Sequence, residues 1–444
     1  MADFLVTGTQ TAGQSLNGSE SGFVTSSGII FVDGADAVEA TQGTNWLTVD
    51  GYLYAYNGGF AAVDAGGGVF EMVVGQNGLI SAENPTEGTI DADLSTHLDV
   101  VNYGMIRSSN DHAIKLDHTD GGANLFLQNY GIISAQNGET IRAVLGTGKF
   151  EFHNEGSISG STGETVYTSA DAANNLDHEF INHGTITSSA DDAVYLILGD
   201  ASTLYATNTG TISGVNAALE MNSDTNVFLV NSGLLSASAE NGEAVYLQGG
   251  EDRVTNTGEM VGGVWLGGGN DWMDTRQGTV TGTIFGEAGN DTIAGSVNAD
   301  SIDGGADNDR LRGMEGDDTL LGNSGFDTLY GNAGDDVLDG GGRSDKLYGG
   351  KGDDTMSGGG SSDTFVIRRV GNGDDEVTDF QNGTDVVDIS ALGVQNFNAL
   401  NNTFNALSET TDGVLIDLAA AGGSGSILLQ GMTLADMDAS DFIF

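Results

Sequence analysis

The chain has 444 residues, 64 Asp and Glu against 13 Lys and Arg, a formal charge of −51, 71 glycines, one proline and no cysteine. So acidic a balance excludes nucleic-acid binding, which needs basic groups to displace phosphate counterions, and the lack of cysteine excludes disulfides and thiolate metal sites. It suits hard cations, which take carboxylate and carbonyl oxygens, and 38% apolar residues are enough for a packed interior.

The opening stretch from Met1 to Ser15 lacks a basic segment followed by an apolar one, so no cleaved signal peptide is expected there. No run reaches the roughly 18 apolar residues of a membrane helix. From there a motif N-x-G-x-(I/L/M) recurs at Asn102/Gly104, Asn129/Gly131, Asn154/Gly156, Asn182/Gly184, Asn208/Gly210, Asn231/Gly233 and Asn256/Gly258. Weaker copies surround Gly28, Gly51, Gly78 and Gly282, so the glycines recur at a nearly constant interval. Each interval holds two more strand-like runs, such as Leu125–Leu127 and Ala193–Ile197.

Three short strands per roughly 25 residues is the layout of a triangular coil, whose apolar face is buried only by stacking on its neighbours. Glycine would allow a left-handed corner, and in-register Asn would form an amide ladder. A β-sandwich is the rival, but hairpin signals are scarce. The expectation is about ten coils over residues 1–265. The pattern resembles right-handed parallel β-helices of secreted adhesins and polysaccharide-active proteins.

At Gly286 the period changes to nine. The first position is Gly286, Gly295, Gly304, Gly313, Gly322, Gly331, Gly340, Gly349 and Gly358. The sixth is Asp291, Asp300, Asp309, Asp318, Asp327, Asp336, Asp345, Asp354 and Asp363, and the eighth is always apolar, from Ile293 to Phe365. An isolated copy contains Asp271. Glycine-rich turns expose carbonyls and Asp adds a charged oxygen, so stacked turns can assemble a set of hard ligands. One apolar residue per nonapeptide is a thin core against repelling carboxylates, so this segment is expected to fold only with metal.

These nonapeptides are identified as repeats-in-toxin (RTX) repeats. The resemblance implies a calcium-binding parallel β-roll over 266–366, in which two repeats make one 18-residue coil. It implies Ca2+ between Asp291 and Asp309, Asp300 and Asp318, and so on to Asp345 and Asp363, seven inter-turn sites in all. The fourth position is Gly in five repeats and Asn298, Asp307, Arg343 or Ser361 in the others. Asn and Asp tolerate left-handed geometry, so the turns with Arg343 and Ser361 are expected to be the weak sites.

Residues 367–444 resemble the C-terminal regions of RTX exoproteins. This implies a small β cap ending in an uncleaved signal for type I secretion machinery at Asp441, Phe442, Ile443 and Phe444. The whole chain thus reads as an all-β, secreted, extracellular or cell-surface solenoid.

Whether it is an enzyme is less plain. His178, Glu179 and His183 miss the H-E-x-x-H spacing and fall on a strand, and no nucleophile motif appears. A polysaccharide lyase or epimerase would need bases, and the chain up to Trp265 holds only Arg107, Lys115, Arg142, Lys149 and Arg253. One cluster combines Asp111, His112, Lys115, Asp117, His118 and Asp120 with His97 a coil earlier; by alternation Ile114 and Leu116 point inward and Lys115 and Asp117 outward. Coils without long inserted loops favour a structural or adhesive role. The segment up to Thr25 carries no capping-helix pattern, which favours self-association; a surface polysaccharide is a further expected partner.

Overall fold

The structure is a computed structural model, and it describes all residues except 1–3, 17–18, 34, 57–59, 84, 86–87, 93–94, 119–121, 171–175, 200–201, 369–370 and 372. The chain divides into two compact units, Met1–Gly249 and Gly250–Phe444. Among the described residues no helix is long and apolar enough to cross a membrane.

The first unit is built from three parallel sheets, each receiving one strand per coil and ten strands in all among the described residues. One sheet runs from Phe4–Val6 to Asn226–Asn231, the second from Thr9–Gln10 to Leu234–Ala237, and the third from Gln14–Leu16 to Glu243–Leu247. Neighbouring coils pair in parallel, for example Ile106 with Ile133 and Leu98 with Leu125. Period-two alternation sends Ile80, Ile106, Ile133, Ile158, Ile186, Ile212 and Leu235 inward, all essentially inaccessible. This is the solenoid expected from the 25-residue period.

The asparagines form the expected ladder. The amide of Asn102 donates to Asn129 Oδ1 (2.7 Å), and the relay continues through Asn154, Asn182, Asn208 and Asn231 at 2.7–2.8 Å. The same oxygens accept the backbone N–H of the glycine two residues on, as at Gly104, Gly131 and Gly156. The expected left-handed corner is not found: none of these glycines has a positive φ. Glycine is required there by close approach instead, because a Cβ on Gly131 would run into the Gly104 carbonyl of the coil below.

In the second unit two three-strand coils, with strands beginning at Arg253 and Trp272, precede the nonapeptides. From Thr292 each coil has two strands in an 18-residue register: Thr292 pairs with Arg310, and the column continues through Thr328, Lys346 and Thr364 in one sheet. Ser301, Thr319 and Val337 pair in turn in the other. The eighth positions, Ile293 and Leu311 from one sheet and Ile302 and Leu320 from the other, are fully buried. The roll closes on a meander in which Ser426–Gln430 pairs parallel with Asp374–Val377 and antiparallel with Gly413–Asp417. Phe442–Ile443 pairs parallel with Val386–Asp388.

Candidate metal centre

Every nonapeptide aspartate occupies the same place in its turn. In nearly every case Oδ1 accepts the backbone N–H of the aspartate one coil earlier, as in Asp309 Oδ1 from Asp291 (2.8 Å) and Asp318 Oδ1 from Asp300 (2.8 Å). Two ladders result. Asp252, Asp271, Asp291, Asp309, Asp327, Asp345, Asp363 and Asp385 form one, at 2.7–2.9 Å. Asp300, Asp318, Asp336, Asp354 and Asp375 form the other, at 2.8–3.2 Å.

The other carboxylate oxygen is the notable one. Oδ2 is buried without a hydrogen-bond partner in Asp271, Asp291, Asp309, Asp318, Asp327, Asp336, Asp345, Asp354 and Asp363. A buried, unmatched carboxylate oxygen is expensive unless a cation or proton meets it. The first-position glycines show what the space beside it is for. A Cβ on Gly286 would stand 2.5 Å from both Asp291 Oδ2 and the Gly304 carbonyl. On Gly322 it would stand 2.7 Å from Asp327 Oδ2 and 2.6 Å from the Gly340 carbonyl. Gly295, Gly304, Gly313, Gly331, Gly340, Gly349 and Gly358 likewise back onto their own Asp Oδ2. None of these glycines has a positive φ, so glycine keeps open a space beside the carboxylate, lined also by a carbonyl oxygen of the next coil at Gly286, Gly295, Gly322, Gly331 and Gly340.

That donor set fits a hard cation. Among the described residues no three His, Cys, Asp or Glu side chains converge on one point, so carbonyls must supply most of the ligands to any ion between turns. Calcium there would neutralise the ladders. Without it, burial pushes the carboxyls of Asp291, Asp327, Asp336 and Asp363 up to about 6. It takes Asp271, Asp318 and Asp345 to about 7, and Asp309 and Asp354 to about 8. The ladder hydrogen bonds oppose the rise; carboxylate neighbours add to it at all of these but Asp327.

The irregular turns fall out differently from expectation. Arg343 (φ 84°) and Ser361 (φ 95°) adopt the same left-handed geometry as Gly316 (φ 109°) and Gly352 (φ 114°). Two fourth positions, Asn298 and Gly325, are not left-handed, and of these the Asn298 turn also differs in its carboxylate. There the Ser296 N–H donates to Asp300 Oδ2 (2.5 Å), so this carboxylate is already satisfied by protein. The serine competes locally for the oxygen that other turns leave bare.

Sequence reading missed the outer rungs Asp252, Asp375 and Asp385. For the last two the signal was present: residues 370–378 and 380–388 keep the nonapeptide spacing, with Val370 and Phe380 in place of the first glycine. Asp385 Oδ2 accepts from the Gln381 N–H (2.8 Å), and Asp379 accepts from the N–H groups of Gly358 and Gly359. The Asp271 turn likewise has buried Leu266 in the glycine position.

The histidine cluster of the first unit is a paired network. His112 lies 2.5 Å from Asp111 and 2.6 Å from Glu139, whose carboxyl this contact lowers to about 2. Arg142 pairs with Asp117 (3.0 Å), and His97 packs on Phe126. Lys115 and Asp117 take the outward positions expected, His118 is half-buried beside them, and Asp120 lies outside the described residues. His178 is buried, accepts from the Phe150 N–H at Nδ1, and is pushed down to about 4 by burial; His183 pairs with Thr209.

The second unit therefore contains a parallel β-roll whose stacked turns present two lines of bare carboxylate oxygens. Residues 278–311, 312–342 and 339–366 match the family described as the RTX calcium-binding nonapeptide repeat (4 copies), and the chain carries these calcium-binding repeats. Comparison with curated proteins finds no match. Among solved structures, the chain is similar to the AlgE6R3 subunit from the Azotobacter vinelandii mannuronan C5-epimerase, in a solution structure. The two are 31% identical over 31% of this chain and 78% of that chain, with a TM-score of 0.18.

Proposed function

We propose that this chain is a secreted calcium-binding structural or adhesive protein of the cell surface or extracellular matrix, whose copies associate. The single observation behind the calcium role is the row of bare Oδ2 atoms facing carbonyls across the glycine positions. Six of the seven inter-turn sites join two such oxygens. The seventh, between Asp300 and Asp318, has one oxygen already taken by Ser296, and the turns with Arg343 and Ser361 belong to the working set. Repeats of this kind are typical of secreted proteins. The scaffold role is supported by ten coils in parallel register with a buried amide ladder. Electron microscopy of the protein in calcium tests it: ordered polymers are expected, and dispersed single particles would count against it.

Type I export through the C-terminal residues is part of the same proposal. Phe442 is buried in the closing strand, so the signal must be read before this unit folds, as calcium-poor cytoplasm would ensure. Deleting Asp441–Phe444 should abolish export; undiminished export would refute the signal.

A carbohydrate-active enzyme is the second reading, favoured by an open groove lined by Asp192, Glu220, Asn222, Glu243 and Tyr246. Burial raises Glu220 to about 8, and its hydrogen bond to Asp192 adds to this. Release of reducing or unsaturated ends from acidic polysaccharides, lost in Glu220→Gln, would establish it.

A further inference from the structure

The middle sheet of the first unit differs from its two neighbours in charge. Its outward positions form two register columns across the coils. One starts at Thr9 and Ile29 and ends at Thr211 and Leu234. The other starts at Phe31 and Tyr54 and ends at Ser213 and Ser236. Between them lie only Tyr, Leu, Ile, Met, Ser and Thr, apart from Arg107. No carboxylate occupies either column, in a chain that carries 64. Carboxylates do occupy the outward positions of the other sheets, as at Glu71, Asp99 and Glu179 in one and Glu39, Asp64 and Glu220 in the other.

The first half of this face is also apolar and open. Phe31, Tyr52 and Ile132 are 40%, 45% and 43% exposed, and Ile29, Leu79 and Tyr54 line a shallow apolar hollow between them. The rings of Phe31 and Tyr54 stack coil upon coil at 5.5 Å and 7°. The facing sides of these two rings are thus covered by each other. At the margin of this face the carboxylate of Glu83 is engaged, accepting from the Tyr54 hydroxyl (2.9 Å). Beyond Ile132 the face turns to hydroxyls, at Ser157, Thr185 and Thr211.

We infer that this face docks a second copy of the same chain, sheet against sheet. Two molecules of charge −51 repel wherever carboxylates meet, and the outward columns of this sheet hold none, with Glu83 at the margin already engaged by the Tyr54 hydroxyl. Its size is sufficient. Nine strands of at least four residues, about 4.8 Å apart, give roughly 570 Å2 per copy, or about 1,100 Å2 for the pair, above the roughly 1,000 Å2 of a specific interface. Face-to-face packing of sheets interdigitates such side chains, and large exposed apolar faces mark association sites.

The inference rests on the proposed self-association and names its surface. Its test is sedimentation of the full chain in millimolar calcium, wild type against a Tyr52→Asp/Ile132→Asp double variant, with Tyr205→Asp on a neighbouring sheet as control. Both substituted sites are exposed, so circular dichroism should be unchanged. The expected result is a wild-type dimer or larger species, retained by the control, and a dissociation constant raised on the order of a hundredfold or more in the double variant, as unpaired charges enter the interface. Equal association of wild type and double variant would overturn the assigned face and leave self-association standing. A monomeric wild type at high concentration would overturn both.

Discussion

Lowering the pH should do part of the work of calcium. In chelator at pH 8 most of the ladder aspartates must be folded as bare carboxylates or not at all. A tenfold change in acidity corresponds to about 1.4 kcal/mol. A carboxyl held at about 6 instead of its ordinary 3.8 therefore costs the metal-free roll about 3 kcal/mol at pH 7. Nine aspartates share this environment, so the combined cost is large against the roughly 5–15 kcal/mol that stabilises a whole domain. The sign follows from the raised values: the metal-free fold is favoured below the ordinary carboxylate range and loses stability as pH rises through 6 to 8. The assay is far-ultraviolet circular dichroism of the full chain in EGTA from pH 8 down to 5, which stays above the isoelectric point of about 4.1. Strand signal missing at pH 8 should return in part on acidification to pH 5, and excess calcium at pH 8 should restore it fully without acid. A spectrum in EGTA that is the same at pH 8 and pH 5 would refute the reasoning, as would one indifferent to calcium at pH 8.

Other perturbations separate the parts of the account. Gly322→Ala places a methyl between Asp327 Oδ2 and the Gly340 carbonyl, so the calcium midpoint should rise several-fold without change at saturating calcium; an unchanged midpoint would show that the glycine serves another need. Asp327→Asn keeps the ladder acceptor but removes charge from two neighbouring sites, and calorimetry should register about two fewer ions. Ser296→Ala keeps the N–H that satisfies Asp300, so ion stoichiometry should not move. Asn182→Ala removes a donor to Asn208 and an acceptor from Asn154, both buried; it should lower stability by about 1–3 kcal/mol in a thermal melt, equally with and without calcium.

Both solenoids were legible because each rests on local repetition. Alternation fixes which residues face inward, as at Ile114 and Leu116, and period fixes which residues stack, as Asp291 on Asp309. What the glycines are for was less legible. Period alone does not distinguish a left-handed corner from a close approach, and at Gly131 and Gly286 the answer is close approach and an oxygen-lined gap. The outer rungs at Asp375 and Asp385 were hidden because inserted residues shift the spacing to 21 and 22 and bulky residues replace the first glycine. Asn298 misled for another reason: tolerance of left-handed geometry is permission, and the Ser296 N–H offered Asp300 a competing partner. The carboxylate-free sheet face emerged only from register, since its residues lie one or two per coil, scattered from Thr9 to Ser236.

Under the proposed function, calcium meets the bare aspartate oxygens and thereby folds the roll. Calorimetric titration of the metal-free full chain, followed in parallel by circular dichroism, tests it most directly. About six tightly bound calcium ions per chain are expected, their uptake coinciding with gain of strand structure. Absence of binding at millimolar calcium, or binding that leaves the spectrum unchanged, would contradict it.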